Sequence, residues 1–153
     1  MEHMKTTIPP PILGMIIGVG MWFVDDLFPH YSIQFIGQGY LVILLGLIGL
    51  SIDIISVLAF FKAKTTINPL SPEKTNTLVI NGLYRISRNP MYLGMLLMLI
   101  AWCLWLGNPV NLLLVGLFVI VINTLQIIPE ESVLQKHFGQ QYIDYKNRVR
   151  RWL

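Results

Sequence analysis

Two clusters of polar and aromatic residues adjoin long apolar segments of this 153-residue chain. The first is the stretch 81–94, which is polar and basic at its start and runs directly into an apolar segment. The second is the pair Glu130 and Glu131, at the far end of the next apolar segment. Carboxylates pair with ammonium groups, arginines pair with carboxylates, and aromatic rings hold a ligand ring. We therefore expect the two clusters to face each other and to bind a small zwitterion.

Several common catalytic patterns are missing from the sequence. It has no Ser-His-Asp set, no HExxH motif and no phosphate-binding glycine loop, and its three histidines are scattered. The single cysteine, Cys103, lies within an apolar run, which excludes an intrachain disulfide and a zinc site built on thiolates. The sequence therefore predicts no metal site and disfavours hydrolase, metalloprotease and nucleotide-hydrolysing functions.

The composition is that of an integral membrane protein with a single domain over residues 1–153. Hydrophobic residues make up 54% of the chain and charged residues only 12%, whereas soluble domains carry about 25% charged residues. Most of the charge lies in 62–88 and 130–151, which hold 14 of the 19 charged residues. The net charge of +3 comes without interleaved aromatic and basic residues, so we expect no nucleic-acid partner.

Four apolar segments are long enough to be considered as membrane spans: 12–28, 33–61, 90–106 and 110–128. All eleven lysines and arginines lie outside the two turns that join the first span to the second and the third to the fourth. With four spans, every basic region falls on one side, which the positive-inside rule assigns to the cytoplasm. The sequence thus predicts an all-α, multi-pass membrane helix bundle with both termini cytoplasmic.

The second span combines small residues with a carboxylate. Its glycines lie at positions 37, 39, 46 and 49. Small residues let helix backbones approach closely in lipid, so we expect tight packing against a neighbouring helix. Asp53 lies in the same span, and such a carboxylate normally faces a polar interior. Pairing with Lys62 or Lys64 at the interface and a direct role in the site both stay open.

Two polar segments flank the predicted site. The cytoplasmic loop 62–89 contains prolines and several apolar residues, which predicts a cover that folds back over the membrane surface. The tail 130–152 carries an apolar stripe at helical spacing, which predicts an amphipathic helix on the membrane or on that loop. The stripe consists of Leu134, Phe138, Tyr142, Tyr145, Val149 and Trp152.

Two motifs carry a family resemblance. The first is Gly82-x-Tyr84-Arg85-x-x-Arg88-Asn89-Pro90-x-Tyr92-x-Gly94. The second is Glu130-Glu131-x-x-Leu134-x-x-x-Phe138-Gly139-x-x-Tyr142-x-x-Tyr145. Together they resemble the isoprenylcysteine carboxyl methyltransferase family, whose signature is shared with related phospholipid N-methyltransferases, over roughly residues 58–150. The resemblance implies an integral membrane enzyme that binds S-adenosylmethionine in a cytoplasmic pocket between its last helices and covering loops.

The resemblance also implies the residues of that pocket. Glu130 would pair with the ammonium group of the cofactor, and Tyr84 would pack on it. The full implied set is Asn76, Thr77, Leu78, Val79, Tyr84, Asn89, Pro90, Met91, Tyr92 and Glu130. Two positions depart from the family pattern: Asn89 stands where a histidine is frequent, and Gln126 stands where the eukaryotic enzymes have an arginine for the substrate. The second departure argues against a prenylcysteine carboxylate as the acceptor.

Three further residues are candidates for the chemistry. A carboxylate acceptor needs no base, whereas an amine must first lose a proton, which Glu131 or Asp53 could take through water. Arg88 is either a partner for a carboxylate or a positive-inside anchor. We expect methyl transfer to a small or lipidic acceptor that arrives from the bilayer, by carboxyl O-methylation or amine N-methylation. A non-enzymatic membrane scaffold or transporter-like subunit is the alternative.

Overall fold

The computed structural model describes residues 8–63 and 77–153, and this part of the chain is helical without strands. Its α-helices are α1 (Pro10–Leu27), α2 (Gln38–Lys62), α3 (Pro90–Leu106), α4 (Leu112–Ile122), α5 (Ile128–Phe138) and α6 (Gln140–Arg148). Short 3-10 helices lie at Pro29–Tyr31, Gly82–Arg85 and Pro109–Asn111. Because α3 packs against α1, α2 and α4, it is the central helix of the bundle.

Three helical stretches are long and apolar enough to cross a membrane: Pro10–Leu27, Gln38–Lys62 and Pro109–Phe138. The third predicted span, α3, is not among them, because its 17 residues are fewer than the roughly 20 that a perpendicular span needs. Large apolar side chains cover the outer surfaces of these helices, as expected for contact with lipid. The all-α membrane helix bundle that the sequence predicts is confirmed, and the chain is an integral membrane protein.

The helix bounds differ from the predicted segments in two places. The second span begins at Gln38 rather than at 33, because Gly37 adopts a left-handed conformation with φ 88° just before the helix. The fourth span does not end at 128. A π turn at Asn123–Ile127 joins α4 directly to α5, just before Pro129, whose ring disfavours a regular α-turn at that point.

The single C-terminal helix predicted over 130–152 is instead two helices and an extended end. Gly139 separates α5 from α6 with φ 54°, a conformation that favours glycine. After Arg148 the chain is extended, and Ser87 and Arg150 form an isolated parallel β-bridge. We call residues 149–152 the C-terminal strap. It lies against the segment that leads into α3.

Hydrogen bonds identify the two ends of the bundle. The turns that lack lysine and arginine meet at one end, where the Ile33 amide donates to the Gly107 carbonyl at 2.7 Å. At the opposite end the side-chain amide of Gln126 donates to the Ile8 backbone carbonyl at 2.7 Å. The start of α1, the end of α4 and the polar clusters therefore share one end, in agreement with the predicted grouping of the basic regions.

Helices α2 and α3 approach each other closely where Gly49 crosses Gly94. A Cβ atom built on Gly49 would lie 2.8 Å from the Gly94 carbonyl oxygen, and one on Gly94 would lie 2.7 Å from the Gly49 carbonyl oxygen. The predicted tight packing of the second span is confirmed at Gly49. A Cβ on Gly39 or Gly46 would meet nothing within 4 Å, so these two glycines do not contribute to it.

Candidate functional site

The two polar clusters meet at one end of the bundle, as expected from the sequence. Tyr92, in the first turn of α3, donates a hydrogen bond from its phenol to Glu130 Oε2 at 3.1 Å. Glu130 lies in the first turn of α5, directly after the long fourth span. Tyr92 is buried. This bond fixes the direction of the Glu130 carboxylate and joins residues 38 positions apart in the chain.

Tyr84 extends the same cluster. The 3-10 helix Gly82–Arg85 presents it to Phe60 of α2, whose ring meets that of Tyr84 edge to face with centroids 5.5 Å apart. Tyr145 holds this segment from the other side, since its phenol donates to the Tyr84 carbonyl at 2.7 Å. Burial raises the pKa of the Tyr84 phenol far above its ordinary value, and the nearby Glu130 carboxylate raises it further. The phenol therefore stays a neutral hydrogen-bond donor.

The C-terminal strap fixes the segment 87–89 at the mouth of α3. The Arg88 amide donates to the Arg150 carbonyl at 3.0 Å. The Asn89 side-chain amide donates to the Arg151 carbonyl at 3.0 Å, and the Ser87 hydroxyl donates to the same carbonyl at 3.3 Å. Asn89, an implied cofactor ligand, thus uses its amide group to hold the strap.

Glu131 is enclosed by two arginines. Arg151 binds it with both ends of its guanidinium group, through Nε to Oε1 at 3.0 Å and through Nη2 to Oε2 at 2.8 Å. Arg88 Nη2 lies 3.2 Å from Oε1. Both carboxylate oxygens of this buried residue are engaged by guanidinium donors. This arrangement ties α5 to the strap and to the loop before α3.

Two donors of Arg88 remain available beside this ion pair. Arg88 Nε and Nη1 are buried and have no hydrogen-bond partner in the part of the chain that the structure describes. A buried unpaired donor is costly, so such a group calls for an acceptor. Tyr142 lies nearby: burial raises the pKa of its phenol, Glu131 and Glu130 raise it further, and Arg88 lowers it by its charge and by a side-chain hydrogen bond. Arg88 and Glu130 are thus both near the Tyr142 phenol.

Asp53 lies apart from the arginines, at a cavity of about 800 Å³ between α1, α2 and α3. Its Oδ1 atom is buried and has no hydrogen-bond partner among the described residues. It forms no ion pair with Lys62, which is exposed at the end of α2, and Lys64 lies outside the described residues. Met91 lines the same cavity. Of the two alternatives that the sequence leaves open for Asp53, the pairing with Lys62 is not formed.

The remaining implied residues fall into two groups. Pro90 is buried at the first position of α3, while Thr77 is exposed and Leu78 and Val79 are half-buried. Asn76 lies outside the described residues. The structure thus brings Tyr84, Tyr92 and Glu130 into one cluster and joins Arg88, Asn89 and Glu131 through the strap. Asp53 and Met91 face the cavity.

Two residues near the site, Arg151 and Trp152, were not predicted from the sequence to belong to it. The Trp152 indole donates to Asn123 Oδ1 at 3.3 Å, which anchors the strap to the π turn. The sequence predicted one helix over 130–152, whereas the chain is extended after Arg148 and Arg151 reaches Glu131 from this extended strap. The available signal was the cluster of basic residues near the end of the chain, Lys146, Arg148, Arg150 and Arg151, which could pair with the glutamates that follow the fourth span.

The fold and the site together define a membrane helix bundle with a buried acidic, basic and aromatic cluster at the mouth of its central helix. A family model described as phospholipid methyltransferase matches residues 35–141. The chain belongs to this phospholipid methyltransferase family.

Individual relatives agree with this family. The chain is 34% identical over 77 residues to protein-S-isoprenylcysteine O-methyltransferase B of Arabidopsis thaliana, covering 50% of this chain and 39% of that protein. It is 30% identical over 125 residues to the protein-S-isoprenylcysteine O-methyltransferase of Schizosaccharomyces pombe, covering 80% of this chain and 52% of that one. The chain therefore spans about half or less of the length of these two enzymes.

A shorter relative matches over its whole length. An uncharacterised protein of Haemophilus influenzae is 54% identical to this chain over 63 residues, which cover 41% of this chain and 100% of that protein. No solved structure matches the chain.

Proposed function

We propose that the protein is a methyltransferase that uses S-adenosylmethionine and acts on a small or lipidic acceptor at the cytoplasmic face of the membrane. The observation that carries this proposal is that Glu130, oriented by Tyr92, and the unpartnered donors of Arg88 both lie close enough to Tyr142 to affect its phenol. A carboxylate and free guanidinium donors in the same buried cluster suit the ammonium and carboxylate ends of an amino acid moiety.

The residues around this place would hold the cofactor in a defined position. Glu130 would bind its ammonium group, and Arg88 Nε and Nη1 would bind its carboxylate. The neutral, buried phenols of Tyr84 and Tyr92 would exclude water from the sulfonium, which supplies the activated methyl group. The segment 76–79, with Asn89, Pro90 and Met91, completes the proposed cofactor set. Exclusion of water and alignment are the main contributions that a protein makes to such a transfer.

Glu131 would act through position rather than through proton transfer. Its oxygens are engaged by Arg151 and Arg88, so it would hold Arg88 in place. Asp53 would be the proton acceptor for an amine. The cytoplasmic orientation rests on the grouping of the basic regions at the end of the bundle where the site lies.

Binding of labelled S-adenosylmethionine to the purified protein in detergent tests the proposal. We expect saturable binding by the wild type and binding at least about tenfold weaker by Glu130→Gln, which keeps the shape of the side chain but removes its charge. Asp26→Asn, at the opposite end of α1, is the matched control and should bind as the wild type does. Absence of binding by the wild type, or equal binding by Glu130→Gln, would overturn the proposal.

The type of product can be determined from lipid extracts. Membranes that contain the protein are incubated with methyl-labelled cofactor, and the extracted label is treated with base. A base-labile methyl group indicates a carboxyl ester, and a base-stable one indicates an N-methyl product. Extracts with no label above that of the Glu130→Gln variant would contradict a lipidic acceptor.

A further inference from the structure

Among the described residues that line the cavity between α1, α2 and α3, Asp53 alone carries an ionisable side chain of the acidic or basic type. We propose that this cavity binds the hydrocarbon chain of an acceptor whose head is an ammonium group, and that Asp53 pairs with that group. This inference deepens the proposed function and rests on it, because it assigns the cavity to the methyl acceptor.

The shape and lining of the cavity suit one apolar chain. Its volume of about 800 Å³ lies within the roughly 300–1,000 Å³ typical of small-molecule sites. α1 lines it between Pro11 and Trp22, which is about 16 Å of helix. The described lining residues of α1 and α3 are all apolar or glycine. Such a surface binds hydrocarbon and offers no partner to a large polar molecule.

Asp53 determines the charge of the head group. Among the described residues that line the cavity it alone is charged, and none is a lysine or arginine. Its buried Oδ1 atom lacks a hydrogen-bond partner within the described residues. A carboxylate in a membrane span is stabilised by a cation, whereas a carboxylate ligand in the same place would be repelled. The charge of the cavity therefore favours an amine over a carboxylic acid.

Gly94 makes room for this carboxylate. A Cβ atom on Gly94 would collide with Asp53 Oδ1, so the side chain lies directly against the backbone of α3. In this position Asp53 also approaches the proposed cofactor cluster. After burial and Glu130, the charge of Asp53 is among the causes that raise the pKa of the Tyr84 phenol. A head group bound at Asp53 would thus lie next to the cluster of Tyr84 and Glu130.

Gln126 supports the same choice of ligand. Its side chain is neutral, and the side-chain amide group donates a hydrogen bond to the Ile8 carbonyl at 2.7 Å. Arg88 is bound to Glu131 through Nη2, and its two remaining donors are assigned to the cofactor in the proposed function. A carboxylate head group would therefore find no free cation at either position.

Tryptophan fluorescence measures binding to this cavity, because Trp22 and Trp102 line it. The probes are undecylamine, undecanoate and undecanol, each with a terminal bromine that quenches tryptophan on contact. The protein is placed in phosphatidylcholine nanodiscs without cofactor. We expect the amine to quench at a concentration at least about tenfold lower than the other two probes. The Asp53→Asn variant should lose this preference, and Asp26→Asn should keep it.

Equal quenching by the three probes in the wild type would overturn the inference, and so would a preference that persists in Asp53→Asn. If Asp53→Asn does not fold, Gly18→Leu replaces it. Its side chain points towards Leu99 in the cavity and leaves Asp53 intact. It should weaken binding of the amine at least about fivefold, and unchanged binding would overturn the inference.

The quenching experiment is carried out without cofactor, so its result can be interpreted separately from that of the cofactor-binding experiment. If labelled S-adenosylmethionine binds as proposed and the amine preference is absent, the acceptor assignment alone is wrong. If the amine preference depends on Asp53 and the cofactor does not bind, the proposed reaction is wrong and the cavity remains a site for cationic amphiphiles.

Discussion

The phenol of Tyr92 and the carboxylate of Glu130 form a hydrogen bond of 3.1 Å that joins the first turn of α3 to the first turn of α5. The bond engages Oε2 and so directs the carboxylate of Glu130 at the mouth of the central helix. A fixed carboxylate binds a cationic ligand with less loss of side-chain freedom than a mobile one. Tyr92 is thus expected to contribute to ligand affinity through Glu130.

Replacement of Tyr92 by phenylalanine tests this contribution. We expect Tyr92→Phe to bind S-adenosylmethionine about three- to tenfold more weakly, the usual effect of one hydrogen bond. The measurement is titration calorimetry in detergent. Tyr40→Phe, which changes an exposed tyrosine of α2, should bind as the wild type does. Equal affinities of the Tyr92 and Tyr40 variants would contradict the proposed role.

The ion pair between Glu131 and Arg151 is expected to stabilise the C-terminal strap. Arg151→Met should lower the free energy of unfolding by about 1–2 kcal/mol, because Glu131 is buried while Arg151 is partly exposed. Unfolding in mixed micelles with increasing SDS measures this change. Arg150→Met alters the neighbouring exposed arginine and should have little effect.

A double-mutant cycle with Glu131→Gln assigns the effect to the pair. We expect the two substitutions together to cost less than the sum of their separate costs, because each removes the same contact. Additive costs would show that Arg151 stabilises the strap by another route.

The Gly49–Gly94 crossing predicts a sharp position dependence for alanine substitutions. Gly94→Ala would force its methyl group against Asp53 and the Gly49 carbonyl, and overpacking of this kind costs about 1–3 kcal/mol. Gly46→Ala, one turn before Gly49 in α2, meets open space and should be neutral or slightly stabilising. Thermal unfolding of the two variants measures the difference. Similar melting temperatures would argue against close packing at this crossing.

Apolar periodicity and charge distribution were sufficient to predict the bundle and the meeting of its two polar clusters. Both signals depend on single residues and on their neighbours along the chain. The partners of Glu131 were not predictable in this way. Arg151 reaches it because Gly139 ends one helix and the chain becomes extended after Arg148, two backbone changes that a helical stripe does not reveal. The π turn before Pro129 is likewise a local change from regular α-helix that apolar spacing does not reveal.

Asp53 illustrates a different limit of the sequence. Its position in a span predicts a polar environment, but the partner depends on which helix faces it. The close crossing at Gly94 places Asp53 against α3 and leaves Lys62 exposed. Glycines at 39 and 46 gave the same sequence signal as Gly49 and pack against nothing among the described residues. The glycine pattern therefore identified the helix that packs closely, but not which of its glycines makes the contact.

The buried tyrosines predict a loss of stability at high pH. Burial raises the pKa of the Tyr145 phenol well above its ordinary value, which is about 10 in unfolded chains. Below this pH the phenol is protonated in both states. Above it the unfolded state loses the proton while the folded state keeps it, so the free energy of unfolding falls by up to about 1.4 kcal/mol per pH unit for each such phenol.

Tyr145→Phe should make this decline shallower. At neutral pH the variant loses about 1 kcal/mol, because the hydrogen bond to the Tyr84 carbonyl is removed. Its stability should then approach that of the wild type as the pH rises. SDS unfolding between about pH 8 and pH 11 measures both effects. Tyr40→Phe, at an exposed position, should retain the wild-type slope. A slope unchanged in Tyr145→Phe would show that its phenol ionises equally in the folded and unfolded states.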